Sequence, residues 1–206
     1  MNLLIELQYL PGIIVYKNLV KASHVKFEQY ESFQKMSFRN RCKIATANGV
    51  INLTVPIEGG RNSNTLVRDV KISNRNRWQH IHWRTIFSAY NRSPWFEFYR
   101  EEMEKFYSRN FVFLWDWNLE ILLWTIDKLG GKIELGFTEN YQPPGSVQPD
   151  TADWRSKLSP KNYLEFADEC PRYRQVFEEK LGFFPNLSII DLLFCEGKNS
   201  LPLLEN

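Results

Sequence analysis

Two alternating runs of apolar and polar residues flank Asn48-Gly49 and predict a β-hairpin. An Asn-Gly pair suits a two-residue type I′ turn, whose central residues both need positive φ. Residues 42–47 and 50–55 should therefore pair as antiparallel strands, with Ile44 facing Leu53. Such a pair has one apolar face and one polar face, which is the pattern of a half-buried hairpin.

The first thirty residues predict a strand, a helix and a second strand. An apolar run at 2–7 indicates a buried strand, Pro11-Gly12 suits the first turn of a helix that reaches about residue 22, and residues 24–30 alternate. This order and length are typical of a parallel βαβ unit. The turn at 8–11 would then lie at the carboxyl end of a strand, where open α/β sheets bind ligands. A glycine-rich phosphate fingerprint is missing from this turn.

Helical periodicity dominates the chain after residue 75. The remaining predicted elements are a surface loop at 58–64, a strand at 67–72, helices at 76–90, 94–107 with Ser93 as the cap, and 111–129, a strand at 133–137, and short helices at 173–181 and 187–194. We therefore predict an α/β fold, in which an N-terminal βαβ unit and the antiparallel hairpin form a mixed sheet, followed by a mainly helical half. We expect a single domain over 1–206, with a sheet-forming part at 1–75 and a mainly helical part at 76–206 that contains a long loop at 138–161.

The charge distribution changes this picture more than the overall composition does. Residues 35–109 hold 14 Lys/Arg against 6 Asp/Glu, whereas residues 110–206 hold 9 against 15. The basic region favours an anionic small-molecule ligand, but it could equally dock on the chain's own acidic part. The acidic final half also argues against nucleic-acid binding, which needs a broad positive face.

The cysteines and the N-terminal residues indicate the cellular compartment of the protein. Three widely spaced cysteines form no C-x-x-C pair, which favours a reduced, cytoplasmic setting and argues against a structural zinc site. Glu6 and Pro11 interrupt the apolar start, so no signal peptide is expected. No apolar run reaches the length of about 20 residues that a membrane span needs, so we expect no membrane insertion. The sequence identifies no cofactor and no oligomeric state.

The cations before the hairpin are the first candidate site. Arg39 and Arg41 would point the same way along a strand and could grip a phosphate or carboxylate in two forks, helped by Lys35 and Asn40. The alternative is that these arginines pair with Glu28, Glu31 or an acid of the C-terminal half and only stabilise the fold. The sequence leaves both hypotheses open.

Two residues are candidates for acid–base chemistry. His82 is the one candidate general acid or base, although a packed histidine is the commoner case. Asp116 is the second candidate, and its pairing with Glu120 along a helix face is the weaker hypothesis. His80 and His82 diverge on a helix, so no metal site is predicted.

Several strings in order along the chain resemble the WbqC-like family: QYLP, KMSFRNRCKI with NGVINLTVP, WQHIHWRTIFSAY and LSIIDLLFCEG. That family is found in bacterial gene clusters for surface polysaccharides such as O-antigen. The resemblance gives weight to further residues as substrate-binding candidates beside Lys35, Arg39, Asn40 and Arg41. These are Tyr9, Arg84, Tyr90, Asn118, Tyr173 and Gln175, with further weight on Pro11 and Asp191.

The chain departs from the pattern of the longer family members at two histidines. Residues 5–8 replace a His-Gln-Pro string, and Cys170 stands where a His-Pro-x-Tyr-x-Gln string begins. The resemblance implies a transferase that acts on an anionic nucleotide-linked sugar or acyl donor in surface polysaccharide biosynthesis. The missing histidines motivate the alternative, a noncatalytic ligand-binding or scaffold protein of the same pathway.

Overall fold

A four-stranded parallel sheet forms one side of the fold. The computed structural model describes residues 1–59 and 64–206. In the sheet order β5-β2-β1-β6, β1 (Asn2–Glu6) lies between β2 (His24–Glu28) and β6 (Thr151–Asp153), and β5 (Leu135–Phe137) pairs with the outer side of β2. Helix α1 (Ile13–Lys21) connects β1 to β2, so the predicted parallel βαβ unit is confirmed. The carboxyl ends of all four strands meet at one edge.

The hairpin consists of β3 (Arg41–Thr46) and β4 (Gly49–Thr54), as its alternating pattern predicted. The α/β class is confirmed, but the hairpin forms its own two-stranded sheet instead of joining the parallel strands in a mixed sheet. The outer strands of the parallel sheet, β5 and β6, come from later in the sequence.

The predicted turn of the hairpin is wrong by one step. Ile44 pairs with Ile51 and Thr46 with Gly49, so Ala47 and Asn48 form the turn. Only Gly49 takes a positive φ, of 106°, whereas a type I′ turn would also need one at Asn48. The Thr46 hydroxyl donates to the Gly49 carbonyl at 2.8 Å and accepts from the Asn48 amide at 3.3 Å. Each residue of β3 pairs with a residue of β4 two positions before the predicted one, so the same side chains face the core.

The rest of the chain is mainly helical. Its helices are α2 (Trp78–Tyr90), α3 (Phe96–Ser108), α4 (Leu114–Leu129), α5 (Glu178–Leu181), α6 (Ile189–Glu196) and α7 (Ser200–Glu205). Helix α4 ends at Gly130, whose left-handed φ of 75° terminates the helix as the glycine pair predicted. Helix α6 is buried on all sides from Ile189 to Cys195, as expected for a helix with no polar face.

Several predicted boundaries differ from the structure. The 67–72 strand is a short 3₁₀ turn at Val67–Asp69, and the 173–181 helix shrinks to α5. Helix α3 begins after Trp95, and the Ser93 hydroxyl donates to the Tyr90 carbonyl at 2.7 Å instead of capping α3. The predicted loop at 58–64 lies mostly outside the described residues.

One hydrophobic cluster runs from β1 to α7 and includes residues of every long helix. The single-domain organisation remains a prediction. Two of the four parallel strands, β5 and β6, come from the part predicted to be mainly helical, and β6 lies inside the predicted 138–161 loop. None of the helices in the described part of the chain has the length and hydropathy that a bilayer-spanning segment requires.

Candidate functional site

A buried charged cluster occupies the carboxyl ends of the parallel strands, and we call it the strand-end network. It consists of Glu6, Glu28, Glu31, Arg39 and Arg155. Glu6 and Glu28 end β1 and β2, while Arg155 follows β6. Charges are rarely buried unless they are paired, so the contacts of each group decide what the cluster can do.

Arg39 is held by Glu31. Its Nε and Nη2 donate to Glu31 Oε1 at 2.9 and 2.6 Å, and Nη2 also reaches Ser156 Oγ at 3.3 Å. The guanidinium is only 2% exposed. Of the two hypotheses for Arg39, the structure therefore contains the stabilising ion pair. The strand geometry assumed for the clamp also does not extend to Arg39, because β3 begins at Arg41.

Arg155 connects two carboxylates from separate strands. Its Nη1 donates to Glu28 Oε2 at 3.1 Å, and its Nη2 donates to Asp153 Oδ2 at 2.6 Å. Glu28, which is fully buried, also accepts from the Thr138 hydroxyl and from two backbone amides. Glu28 therefore has hydrogen bonds to both oxygens, and Arg155 supplies its counter-charge.

Glu6 and Glu31 have fewer partners. Glu6 accepts from Gln8 Nε2 and from the Ser156 amide, each at 2.8 Å, and among the described residues no cation forms an ion pair with it. At Glu31, both hydrogen bonds go to Oε1. Burial raises the pKa of Glu31, the Arg39 guanidinium opposes that rise, and the nearby Glu6 and Glu28 add to it. The network therefore holds more negative than positive charge.

The other residues of the predicted cation cluster do not share these contacts. Lys35 is exposed, and Arg41 is partly buried with no hydrogen-bond partner at Nε. The Asn40 amide donates to the Val55 carbonyl at 2.9 Å, which secures the chain entering the hairpin. Asn118, from α4, donates to the Arg39 carbonyl at 2.7 Å. Asn40 and Asn118 thus hold backbone in place.

His82 lies in an aromatic cluster instead of an open site. Its Nδ1 lies 3.2 Å from the Tyr9 hydroxyl, which is 2.7 Å from the Tyr107 hydroxyl. Trp78 and Trp117 pack around the same rings. Burial lowers the pKa of His82 to about 4, and a hydrogen bond with the backbone of Thr54 opposes this only in part. The imidazole is therefore neutral near pH 7.

Asp116, the second predicted acid–base residue, is exposed in the first turn of α4. Its predicted helix neighbour Glu120 pairs with Arg109 at 2.8 Å. Glu120 thus has a salt-bridge partner and Asp116 faces solvent, which are the alternatives to a catalytic pair of carboxylates.

A second buried polar cluster surrounds Asp191 of α6. The hydroxyls of Tyr90 and Tyr173 donate to its two oxygens at 2.8 and 2.5 Å, and Gln175 Nε2 donates at 3.1 Å. Burial raises the pKa of Asp191 to about 6, and the three hydrogen bonds lower it only in part. Tyr90, Tyr173 and Gln175 are thus brought together by one carboxylate, although they are far apart in sequence.

A surface groove of about 670 Å³ lies between the hairpin turn, the end of α2 and the segment at 176–177, and we call it the arginine groove. Its polar lining includes Arg84, Ser88 and Arg92, and Phe177 supplies an aromatic wall. Within the described residues, neither arginine makes an ion pair or a side-chain hydrogen bond. An adjoining cavity of about 620 Å³ shares Arg92 and Phe177 and reaches Gln175.

The basic region is not neutralised by the acidic half of the chain. Across residues 1–59 and 64–206, the cations of 35–109 pair with Glu31, Asp69, Glu97 and Glu120. Only Glu120 belongs to the acidic half. Other cations of the basic region, including Arg84 and Arg92, form no ion pair with a described residue and are therefore available to a ligand.

Sequence reasoning missed three of the residues that matter most here. Arg92 had a usable signal, because Arg84, Ser88 and Arg92 follow at four-residue steps, the first two in α2 and Arg92 two residues beyond its end. Glu6 also had one, since a charge closing a buried apolar strand needs a partner. Arg155 had no local signal, because its partner Glu28 lies 127 residues away. In the described part of the chain, no group of three or more metal-ligand side chains is arranged to hold an ion.

Comparison with protein-family models matches residues 8–165 to the model described as the WbqC-like protein family. The match covers α1, β2, the hairpin, α2 to α4, β5, β6 and the strand-end network apart from Glu6. Neither the curated proteins nor the solved structures contain a match to this chain.

Proposed function

The chain belongs to the WbqC-like protein family, and on that premise we propose that it binds an anionic nucleotide-linked sugar or acyl donor for a transferase step in bacterial surface polysaccharide (O-antigen) biosynthesis. The observation that carries the proposal is the arginine groove, whose two guanidinium groups form no ion pair with any residue that the structure describes. Guanidinium groups bind phosphate and carboxylate in bidentate pairs, which makes Arg84 and Arg92 suitable anchors for such a donor.

The spacing of the two arginines suits an extended anion. Arg84 lies in α2 and Arg92 lies two residues beyond its end at Tyr90, so the helical rise from Arg84 to Tyr90 alone is about 9 Å. Two long side chains at that distance can approach the two ends of a diphosphate. Phe177 offers a flat apolar surface beside them for a base or sugar ring.

The binding prediction is tested by thermal shift and titration with UDP-glucose and acetyl-coenzyme A. We expect at least one of them to raise the melting temperature, and Arg84→Ala or Arg92→Ala to weaken its binding roughly tenfold, the usual effect of losing a charge-assisted hydrogen bond. Arg75→Ala, an exposed position outside the groove, is the matched control and should bind as wild type does. Stabilisation by neither ligand, or equal stabilisation of the groove variants, would refute the proposal.

The alternative function is a noncatalytic ligand-binding or scaffold protein of the same pathway. A specific observation favours it, since His82 is buried, hydrogen-bonded and neutral. Transfer from a labelled donor to isolated polysaccharide precursor distinguishes the two functions. A transferase that uses His82 should lose its turnover in His82→Gln while keeping donor binding, whereas binding without transfer in the wild-type protein would support the alternative.

A further inference from the structure

A second cavity, distinct from the arginine groove, opens beside the strand-end network. Its volume is about 670 Å³, and we call it the strand-end cavity. Tyr30, Glu31, Phe33, Gln34, Lys35 and Tyr141 line it. It lies beyond the carboxyl ends of the neighbouring strands β2 and β5, which is where open α/β sheets bind ligands, and its volume is within the usual range of ligand pockets.

Glu31 provides an unused hydrogen-bond acceptor in this cavity. Its side chain is only 8% exposed, and both of its hydrogen bonds with Arg39 are made through Oε1. No side chain or amide of the described residues donates to Oε2. Glu31 Oε2 is not among the buried atoms that lack a partner in the described part of the chain, so solvent reaches it at the cavity and a ligand that brings a donor can bind there.

The charge around the cavity favours a cationic donor. The strand-end network contains three buried carboxylates, Glu6, Glu28 and Glu31, but two guanidinium groups, and no cation of residues 1–59 and 64–206 forms an ion pair with Glu6. The charge of Arg155 is in addition shared with Asp153. An ammonium ion placed at Glu31 would compensate for this deficit.

The remaining lining suits the body of a sugar. Tyr30, Phe33 and Tyr141 line the cavity with aromatic rings, which can pack against the apolar face of a pyranose ring. Arg68 and Arg155 already lie over the Tyr30 and Tyr141 rings, at 4.4 and 5.9 Å from the ring centroids, so the ligand ammonium is assigned to Glu31 and not to these rings. Gln34 accepts a hydrogen bond from Ser156 Oγ through Oε1, and its amide nitrogen remains able to donate to a ligand hydroxyl.

From these observations, we infer that the strand-end cavity binds an amino sugar through its free ammonium group, with Glu31 as the anionic partner. This site is independent of the donor site in the arginine groove and has the opposite charge preference. Lys35, which is exposed at the same cavity, competes with the ligand ammonium for the network's negative charge.

The experiment measures binding of glucosamine and glucose to the full chain by calorimetry, at a pH at which the glucosamine amine is protonated. We expect glucosamine to bind roughly tenfold or more tightly than glucose, because glucose lacks the charged donor. Glu31→Gln should remove that preference. Lys35→Ala should increase the affinity for glucosamine, whereas Lys21→Ala, an exposed lysine outside the cavity, should not change it.

The Lys35→Ala result keeps the inference falsifiable even if Glu31→Gln disturbs the fold through Arg39. A decrease in glucosamine affinity in Lys35→Ala would overturn it, because the cavity would then recognise an anion through the lysine. Equal binding of glucosamine and glucose, or no glucosamine binding to the wild type, would also overturn it. Arg84→Ala separates this test from that of the proposed function, since it should weaken binding of the anionic donor and leave glucosamine binding intact.

Discussion

At the residue scale, burial decides which polar side chains can act on a ligand. Arg39 and Arg84 are both arginines of the basic region, yet Arg39 is 2% exposed and paired, while Arg84 is exposed and forms no ion pair within residues 1–59 and 64–206. His82 shows the same effect for acid–base chemistry, because desolvation disfavours its charged form. Residue type alone therefore does not distinguish a side chain that is available to a ligand from one that is buried and paired.

Asp191 gives a pH-dependent prediction at this scale. Its folded-state pKa of about 6 lies above the value of about 4 for an unfolded aspartate, so the folded state binds the proton more tightly. Its stabilising contribution is fully present below about pH 4 and is lost as the pH rises through about 6. The loss should be roughly 3 kcal/mol, since each unit of difference is worth about 1.4 kcal/mol.

The measurement is the free energy of unfolding by urea at several pH values for the wild type and Asp191→Asn. The difference between the two proteins should change by that amount between pH 4 and 7, because the amide does not titrate. Asp116→Asn, at an exposed position, is the control for the loss of one carboxylate. Parallel profiles for wild type and Asp191→Asn would contradict the prediction.

At the element scale, the hairpin shows how a local signal can predict an element and misplace its turn. The alternation of apolar residues correctly indicated two paired strands, because one face of the hairpin packs on the core. The Asn-Gly signal placed the turn one residue too late. In the structure the Thr46 hydroxyl bridges the turn, and Gly49 supplies the single positive φ.

This turn geometry predicts different effects for two neighbouring substitutions. Gly49→Ala should lower the free energy of unfolding by about 1–2 kcal/mol, because an L-residue is strained at a φ of 106°. No atom lies within 4 Å of an added Cβ at Gly49, so the effect belongs to the backbone. Asn48→Ala should change stability by less than about 0.5 kcal/mol, as expected for an exposed side chain without a special φ.

Thermal or chemical denaturation of the two variants distinguishes the observed turn at Ala47-Asn48 from a type I′ turn at Asn48-Gly49. A loss in Asn48→Ala as large as that in Gly49→Ala would indicate positive φ at both positions, and hence the type I′ turn that the sequence suggested.

At the scale of the whole molecule, the strand-end network joins parts of the chain that are far apart in sequence. Glu28 ends β2, Arg155 follows β6, and Ser156 hydrogen-bonds to Glu6 at the end of β1. The two proposed sites therefore differ in charge. The strand-end network has more carboxylate than guanidinium groups, whereas the arginine groove has two guanidinium groups that form no ion pair with a described residue.

The buried ion pair of Glu28 and Arg155 predicts a large loss of stability when the arginine side chain is replaced by an uncharged one. Arg155→Met should lower the free energy of unfolding by about 3–5 kcal/mol, because it leaves the fully buried Glu28 carboxylate without its counter-charge. The matched control is Arg109→Met, which removes a surface pair with Glu120 and should have an effect below about 1 kcal/mol. Urea denaturation measures both, and similar losses in the two variants would refute the role assigned to burial.

Much of the fold was predictable because its signals are local. Pro11-Gly12, the alternation around β3 and β4 and the apolar stripe of α4 each act within about twenty residues. Helices α1 and α4 and the two paired strands formed, with the hairpin turn one residue earlier than expected. Strand β6 and the short helix α5 were not predicted correctly, because their conformation depends on neighbours that the local pattern does not contain. The candidate site was predictable only in part, since Arg84 was named and Arg92, Glu6 and Arg155 were not.

The sequence by itself determined the α/β class, the parallel βαβ start, the hairpin and the resemblance that the family match to residues 8–165 supports. Tertiary structure alone decided which cations are paired, where β5 and β6 enter the sheet, and that the excess of buried carboxylates faces a cavity. The physical reason is that hydrophobic periodicity and turn chemistry act over short stretches of chain. The charge state and availability of a side chain instead depend on burial and on partners as far away as the 127 residues between Glu28 and Arg155.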